Sequence, residues 1–130
     1  MDKVRRIDLH THSTASDGSL SPEELVRHAH EKGLSAIAIT DHDTIDGIGQ
    51  ALQEGQRTGI EVIPGIEISV DFDPEMHMLG YFFDSSYLNI ENTLEVLRKN
   101  REERNPKMIR KLNEMGFDIS MDEVMEQAGG

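Results

Sequence analysis

Two histidines, His10 and His12, stand two residues apart in the stretch IDLHTHSTASDG. In an extended strand alternate side chains share a face, so the pair would form a compact two-nitrogen grip for a metal ion. Asp17 follows one short loop later. Three further clusters bring donors of the same kind: Asp41, His42 and Asp43 in TDHD, Glu67 in PGIEIS, and His77 in HMLGYF. Each lies near an end of an apolar, strand-like segment, a recurrence that ordinary surface polarity does not account for. The donors are all nitrogen or oxygen, because the chain has no cysteine. Imidazole with carboxylate suits zinc, manganese or iron, and the absence of thiolate argues against a purely structural zinc. Several carboxylates among several imidazoles point to more than one ion, with Glu67 as a candidate bridge. Clustered divalent ions make hydroxide at neutral pH and clamp the oxygens of a substrate in an in-line displacement. Phosphate ester hydrolysis is therefore the expected reaction class, through a metal-bound hydroxide held by Glu67 and its neighbours. No G-x-x-x-x-G-K-[ST] loop competes with this reading. His28 and His30 serve as an internal control: two apart on a helix, they point about 200° apart and cannot share an ion.

The elements that must position these residues can be read from periodicity. Val4 to Leu9 is expected as a strand ending at the histidines. A helix should begin at Pro22, with Ser21 as N-cap, Glu24 completing a capping box, and Leu25, Val26 and Ala29 as its apolar stripe. Gly33 is its expected stop. Ser35 to Thr40 reads as a strand buried on both faces. Ile48 to Arg57 reads as a second helix, stopped at Gly59. IEVIPGIEISV is strand again, with an interruption expected at Pro64-Gly65, and His77 to Phe83 is a further strand. This β-α-β-α-β-β order indicates an α/β fold with a parallel sheet, open or closed into a barrel, and the polar clusters fall after strand ends, where such folds build sites. Beyond Asp84 the character changes. Asn89 to Arg104 is expected as a charged helix broken at Asn105-Pro106, Lys107 to Met115 as a second ended by Gly116, and SMDEVMEQAGG as a third with Ser120 and Glu123 as a capping box. The expected division is a site-bearing portion, 1–84, and a helical segment, 85–130.

At 130 residues the chain is long enough for one ordinary domain with a modest core. Trp is absent, and only two Tyr and four Phe are present, so Ile, Leu, Val, Ala and Met must build the core. No apolar run approaches the roughly 20 residues of a membrane span, and the charged start MDKVRRIDLH contains no signal-like stretch, so a cytoplasmic protein is expected. A net charge of −12 weakens the case for a duplex nucleic-acid surface, which rests on Lys and Arg. It leaves an anionic substrate open, because divalent ions reverse the local sign.

Taken together, DLHTHSTASDG, AITDHDT, PGIEIS and HMLGYF resemble the PHP family, named for polymerase and histidinol phosphatase, over residues 5 to about 84. The likeness is greatest to its stand-alone bacterial phosphoesterases of nucleotides and short oligoribonucleotides. The resemblance implies a distorted TIM-like barrel of seven βα units, a helical insertion, and up to three ions of manganese, zinc or iron. His10 and His12 would hold the first ion, Glu67 would bridge the first and second, His77 would bind the second, and Asp17 and His42 the third. Asp41 and Asp43 would orient the His42 imidazole from outside, Asp43 also reaching an ion or bound water. The implied substrate is a small phosphorylated molecule, a nucleotide or an RNA end. The family pattern requires a later histidine and a final Asp and His, and this chain has no histidine after His77. It is thus expected to be the N-terminal part of such a protein, not a well-behaved catalyst alone, and open to self-association through uncovered sheet edges. Two other readings stay open. One is an amidohydrolase-like C–N hydrolase, whose barrel also begins with HxH. The other is a non-catalytic PHP module. A metallo-β-lactamase pattern fits worse, because it needs Asp and His where Thr14 and Ala15 stand.

Overall fold

The computed structural model describes residues 4–70 and 76–128. The chain divides into two compact units, Met1–Leu94 and Glu95–Gly130. In the first unit the order is β1 (Arg6–Thr11), α1 (Pro22–Glu31), β2 (Leu34–Ile39), α2 (Ile48–Thr58), β3 (Glu61–Val70), β4 (Met76–Tyr81), then a 3-10 turn over Ser85–Ile90 and the start of α3 (Glu91–Glu114). The second unit holds the rest of α3 and α4 (Met121–Ala128). The Gly129-Gly130 end of the last expected helix lies outside the described residues.

Local chemistry sets the first helix as expected. The Ser21 hydroxyl accepts from the Glu24 N–H at 3.2 Å and the Glu24 carboxylate accepts from the Ser21 N–H at 3.4 Å, closing the capping box. Gly33, Gly59 and Gly116, the three expected stops, all adopt left-handed φ. At the last helix the Ser120 hydroxyl accepts from the Glu123 N–H at 3.2 Å.

The sheet has the order β1-β2-β3-β4. β1, β2 and β3 are parallel, joined by the α1 and α2 crossovers, whereas β4 returns antiparallel beside β3. The sheet is therefore mixed, not wholly parallel. The expected interruption at Pro64-Gly65 is also absent, for a related reason. β3 is one continuous strand, but its partner changes there: Ile39 of β2 lies opposite Pro64, and the β4 ladder begins with Gly65 opposite Tyr81. Proline has no N–H to give a ladder, so it stands where one ladder ends and the next begins. Its carbonyl is still used, accepting from the Phe82 N–H at 2.8 Å.

The expected break at Asn105-Pro106 does not occur either. α3 runs through Pro106. The proline forfeits one helical hydrogen bond, but good helix formers (Leu, Glu, Arg and Lys) on both sides carry the helix across.

The core lies between the two crossover helices and the central strands. Val26 and Ala29 of α1, Ile48 and Ala51 of α2, Ile37 and Ile39 of β2 and Ile66 of β3 are buried. The outer strands are far barer: Ile7 of β1 is 55 % exposed and Met78 of β4 is 56 % exposed. The sheet also curls. The Tyr81 hydroxyl of β4 donates to the Leu9 carbonyl of β1 at 2.6 Å, although these strands occupy opposite edges. The result is a half-barrel with its polar strand ends drawn together. No helix among the described residues is long and apolar enough to cross a membrane.

Candidate metal centre

The backbone places the site before any side chain is considered. The Thr40 N–H donates to the Thr11 carbonyl at 2.9 Å, and the Thr11 hydroxyl donates to the Ala38 carbonyl at 2.6 Å, so β1 and β2 are laced together up to their ends. Beyond β2 the chain stays in register with β3. The Glu67 N–H donates to the Asp41 carbonyl at 3.1 Å, and the Asp43 N–H donates to the Glu67 carbonyl at 3.1 Å, bracketing a parallel bridge between His42 and Glu67. Asp43 takes φ 52° to make this turn, a conformation that Asp tolerates better than most residues. On the other side of β3, Ser69 lies opposite His77 and Glu67 opposite Leu79. Side-chain alternation then puts Glu67 and His77 on one face of the hairpin.

These constraints gather six residues into three overlapping groups: His10, His12 and Glu67; His12, Asp17 and His42; His42, Glu67 and His77. Glu67 is the hub. Its Oε1 contacts His10 Nε2 and lies 3.7 Å from His12 Nε2. Its Oε2 lies 2.9 Å from His42 Nδ1 and 3.1 Å from His77 Nδ1. Asp17 faces the other way, with Oδ2 3.3 Å from His42 Nε2 and Oδ1 3.6 Å from His12 Nδ1. The resemblance assigns His42 to one ion, whereas the fold sets it between Glu67 and Asp17. The rings of His12 and His42 stack with centroids 4.5 Å apart. His28 and His30 lie exposed on α1, in none of these groups.

Electrostatics support a cationic occupant. Burial works to raise the Glu67 pKa, but the hydrogen bond to His10 and the charges of His42, His10 and His12 outweigh it, holding the carboxyl below its ordinary range. His10 Nε2 and His12 Nε2 converge to 3.3 Å. Buried His12 Nδ1 has no hydrogen-bond partner among the described residues. Two ring nitrogens this close beside one carboxylate oxygen, with a further buried nitrogen unsatisfied, make a donor set that a divalent ion would fit, and it suits manganese, zinc or iron.

Asp41 sits differently from the expectation that it orients the His42 ring. Both nitrogens of that ring face Asp17 and Glu67. The Asp41 carboxylate is spent elsewhere. It accepts from the Ser13 N–H at 2.6 Å, the Ser13 hydroxyl at 2.7 Å and the Ser16 hydroxyl at 2.8 Å. It thus staples the loop between His12 and Asp17 to the end of β2. Asp43 is buried in the turn and contributes its backbone to the register with β3. The roles of Ser13 and Ser16 were not legible in the sequence. The one available signal was two serines within four residues of His12.

The same loop is closed by Gly18, whose N–H donates to the Ser13 carbonyl at 2.8 Å. A Cβ at this position would stand 2.1 Å from the His12 carbonyl oxygen and 2.8 Å from the Ser13 carbonyl carbon, both backbone atoms. Gly18→Ala is expected to push His12 and Asp17 out of place and to cost about 1–3 kcal/mol of stability, as overpacking does. Urea denaturation together with manganese titration checks this. Unchanged values in both would show that the loop yields freely.

Comparison with known proteins bears on the same residues. The PHP domain pattern matches residues 8–124. The chain belongs to the PHP family. A "5'-3' exoribonuclease" of Haemophilus influenzae is 39 % identical over 98 % of this chain and 47 % of its own length. A "3',5'-nucleoside bisphosphate phosphatase" of Chromobacterium violaceum is 33 % identical over 94 % of this chain and 43 % of its own. Among solved structures, a Bifidobacterium adolescentis protein named by prediction a metal-dependent phosphoesterase superposes with TM-score 0.76 at 34 % identity, over 97 % of this chain and 44 % of that one. A Chromobacterium violaceum structure called an amidohydrolase, holding sulfate and no metal, gives TM-score 0.77 at 33 % identity, over 93 % of this chain and 43 % of that one. This PHP chain spans about half the length of the curated relatives it matches.

Proposed function

We propose that this PHP chain carries one wall of a polymetal centre in an enzyme that hydrolyses phosphate esters of nucleotides or RNA ends. The observation that carries the reading is the division of Glu67, with Oε1 toward His10 and His12 and Oε2 toward His42 and His77. In this reading His10 and His12 would hold one ion, Glu67 would be shared between it and a second held by His77, and Asp17 with His42 would hold a third. Divalent ions bound there supply Lewis-acid polarisation of phosphoryl oxygens and an acidified water. The chain's own residues do the rest. Glu67 presents one oxygen to each pair of histidines, the stacked His12 and His42 rings fix the donor directions, and the Asp41 staple keeps Asp17 in reach. Manganese, zinc and iron all suit these donors, and the relatives' names favour a phosphorylated nucleotide or RNA terminus as substrate. The bare outer strands make self-association through β1 and β4 part of the same proposal.

Metal uptake tests the centre directly. Equilibrium dialysis of the chain against manganese is expected to show saturable binding that His10→Ala weakens at least about tenfold, the lower end of what losing even an outer partner of a metal site costs. His28→Ala should leave it unchanged. Equal effects of the two substitutions would sink the site. Phosphate release from a nucleoside 3′,5′-bisphosphate, set against opening of a cyclic amide, then separates phosphoester from C–N hydrolysis.

A further inference from the structure

The charge of this acidic chain is unevenly laid out. Seven of its thirteen Lys and Arg fall between Arg98 and Lys111, against only Glu102 and Glu103, so that stretch carries +5 in a chain of −12. All of it lies on α3 within the second compact unit. Elsewhere the fold uses cations structurally: Arg57 forks onto the Glu54 carboxylate on α2, and Arg27 of α1 lies 3.9 Å from it. On α3, by contrast, Arg104, Lys107, Arg110 and Lys111 are exposed and enter no ion pair among the described residues. Arg104, Lys107 and Lys111 stand at i, i+3 and i+7, one above another on a single helical face.

We propose that this face of α3 docks the phosphate backbone of single-stranded RNA. The inference rests on the RNA-end reading above and deepens it by naming a surface that would bind such a strand. Charge complementarity selects a polyanion. The geometry selects a flexible one, since three cations along about 10 Å of helix can follow consecutive phosphates of a single strand. A membrane surface fits less well. Between Arg98 and Leu112 the apolar residues are Met108, Ile109 and Leu112, with no aromatic among them, too few for a helix that beds into lipid. The long Lys and Arg side chains bind phosphate without reading bases, so the affinity should be independent of sequence.

The test is fluorescence anisotropy of a 3′-labelled oligoribonucleotide with the full chain in EDTA, where no metal chemistry intervenes. The triple variant Arg104→Glu, Lys107→Glu, Lys111→Glu is expected to bind at least about tenfold more weakly. Its salt slope should be shallower by about 2, at roughly 0.7 per phosphate contact. The Arg5→Glu, Lys32→Glu pair, which shifts the charge elsewhere by −4 against −6 for the triple, should lose far less than that ratio. Circular dichroism monitors α3, and if the Glu triple loses helix, the Gln triple is read in its place. Equal loss in the control pair, or no loss in the triple, overturns the proposal. So does binding to anionic phosphatidylserine vesicles that exceeds binding to RNA. Normal RNA binding in EDTA by a chain that takes up no manganese in dialysis would instead fault the metal-centre reading and leave this one standing.

Discussion

Glu67→Gln is expected to lower manganese affinity by at least about 100-fold, since losing even an outer partner of a metal site costs 10–100-fold. Gln keeps the volume of a residue that is 4 % exposed, so the fold should survive the change. What it removes is the charge and one of two oxygens. The amide –NH₂ left behind is a donor, and it would be aimed at His10 and His12 or at His42 and His77, whichever way it turns. Calorimetric titration with manganese measures the effect, and affinity within threefold of wild type would remove Glu67 from the centre. The metal-free chain offers a second reading. Because the folded Glu67 carboxyl sits below its ordinary 4.5, its contribution to stability is present above that pH and is lost as acid titrates the folded group. Glu67→Gln should therefore flatten part of the acid limb of the stability profile.

Asp41→Ala should be the most damaging change for the fold itself. Asp41 is 1 % exposed and its carboxylate satisfies three donors of one loop. Removing it leaves the Ser13 N–H and hydroxyl and the Ser16 hydroxyl without their partner, at about 1–3 kcal/mol for each buried group left unsatisfied. Part of that will be recovered by water and by rotation of the hydroxyls, so a net loss of about 3 kcal/mol is expected. Asp41→Asn should lose roughly half as much, because its oxygen still accepts from the Ser13 N–H and the Ser13 hydroxyl can turn to accept from the amide. Urea denaturation of the metal-free proteins checks the order wild type, Asn, Ala. Manganese titration should also show a loss for Asp41→Ala, since His12 and Asp17 flank the released loop. An Ala variant as stable as wild type would mean that the staple is ornamental.

The sequence was most informative where one local rule dominates. The α1 capping box, the three glycine stops and the β-α-β-α-β-β order need only neighbours along the chain, and the structure has all of them. It misled where partners are non-local. Pro64 looks like an interruption until one sees that β3 changes partner beside it, and Pro106 looks like a break because a one-dimensional reading weighs the lost hydrogen bond but not the helix formers around it. The candidate site divides in the same way. His10, His12, Asp17, His42, Glu67 and His77 were picked from residue type and strand-end position, and the fold brings them together. The bonding of Asp41 was hidden, because adjacency to His42 suggests a ring contact, whereas the strand end turns its carboxylate toward Ser13 and Ser16.

The antiparallel return of β4 also restricts how this protein can change over generations. His77 reaches Glu67 because the two lie at matching parity across the hairpin, with Met78 on the opposite face. A one-residue insertion or deletion between His77 and Tyr81 would slide the pleat by one, turning a methionine toward the imidazoles and the histidine away. Length variation in this strand is therefore confined to steps of two, and a lineage that drifted by one would keep its composition and its α/β order while losing its sixth donor.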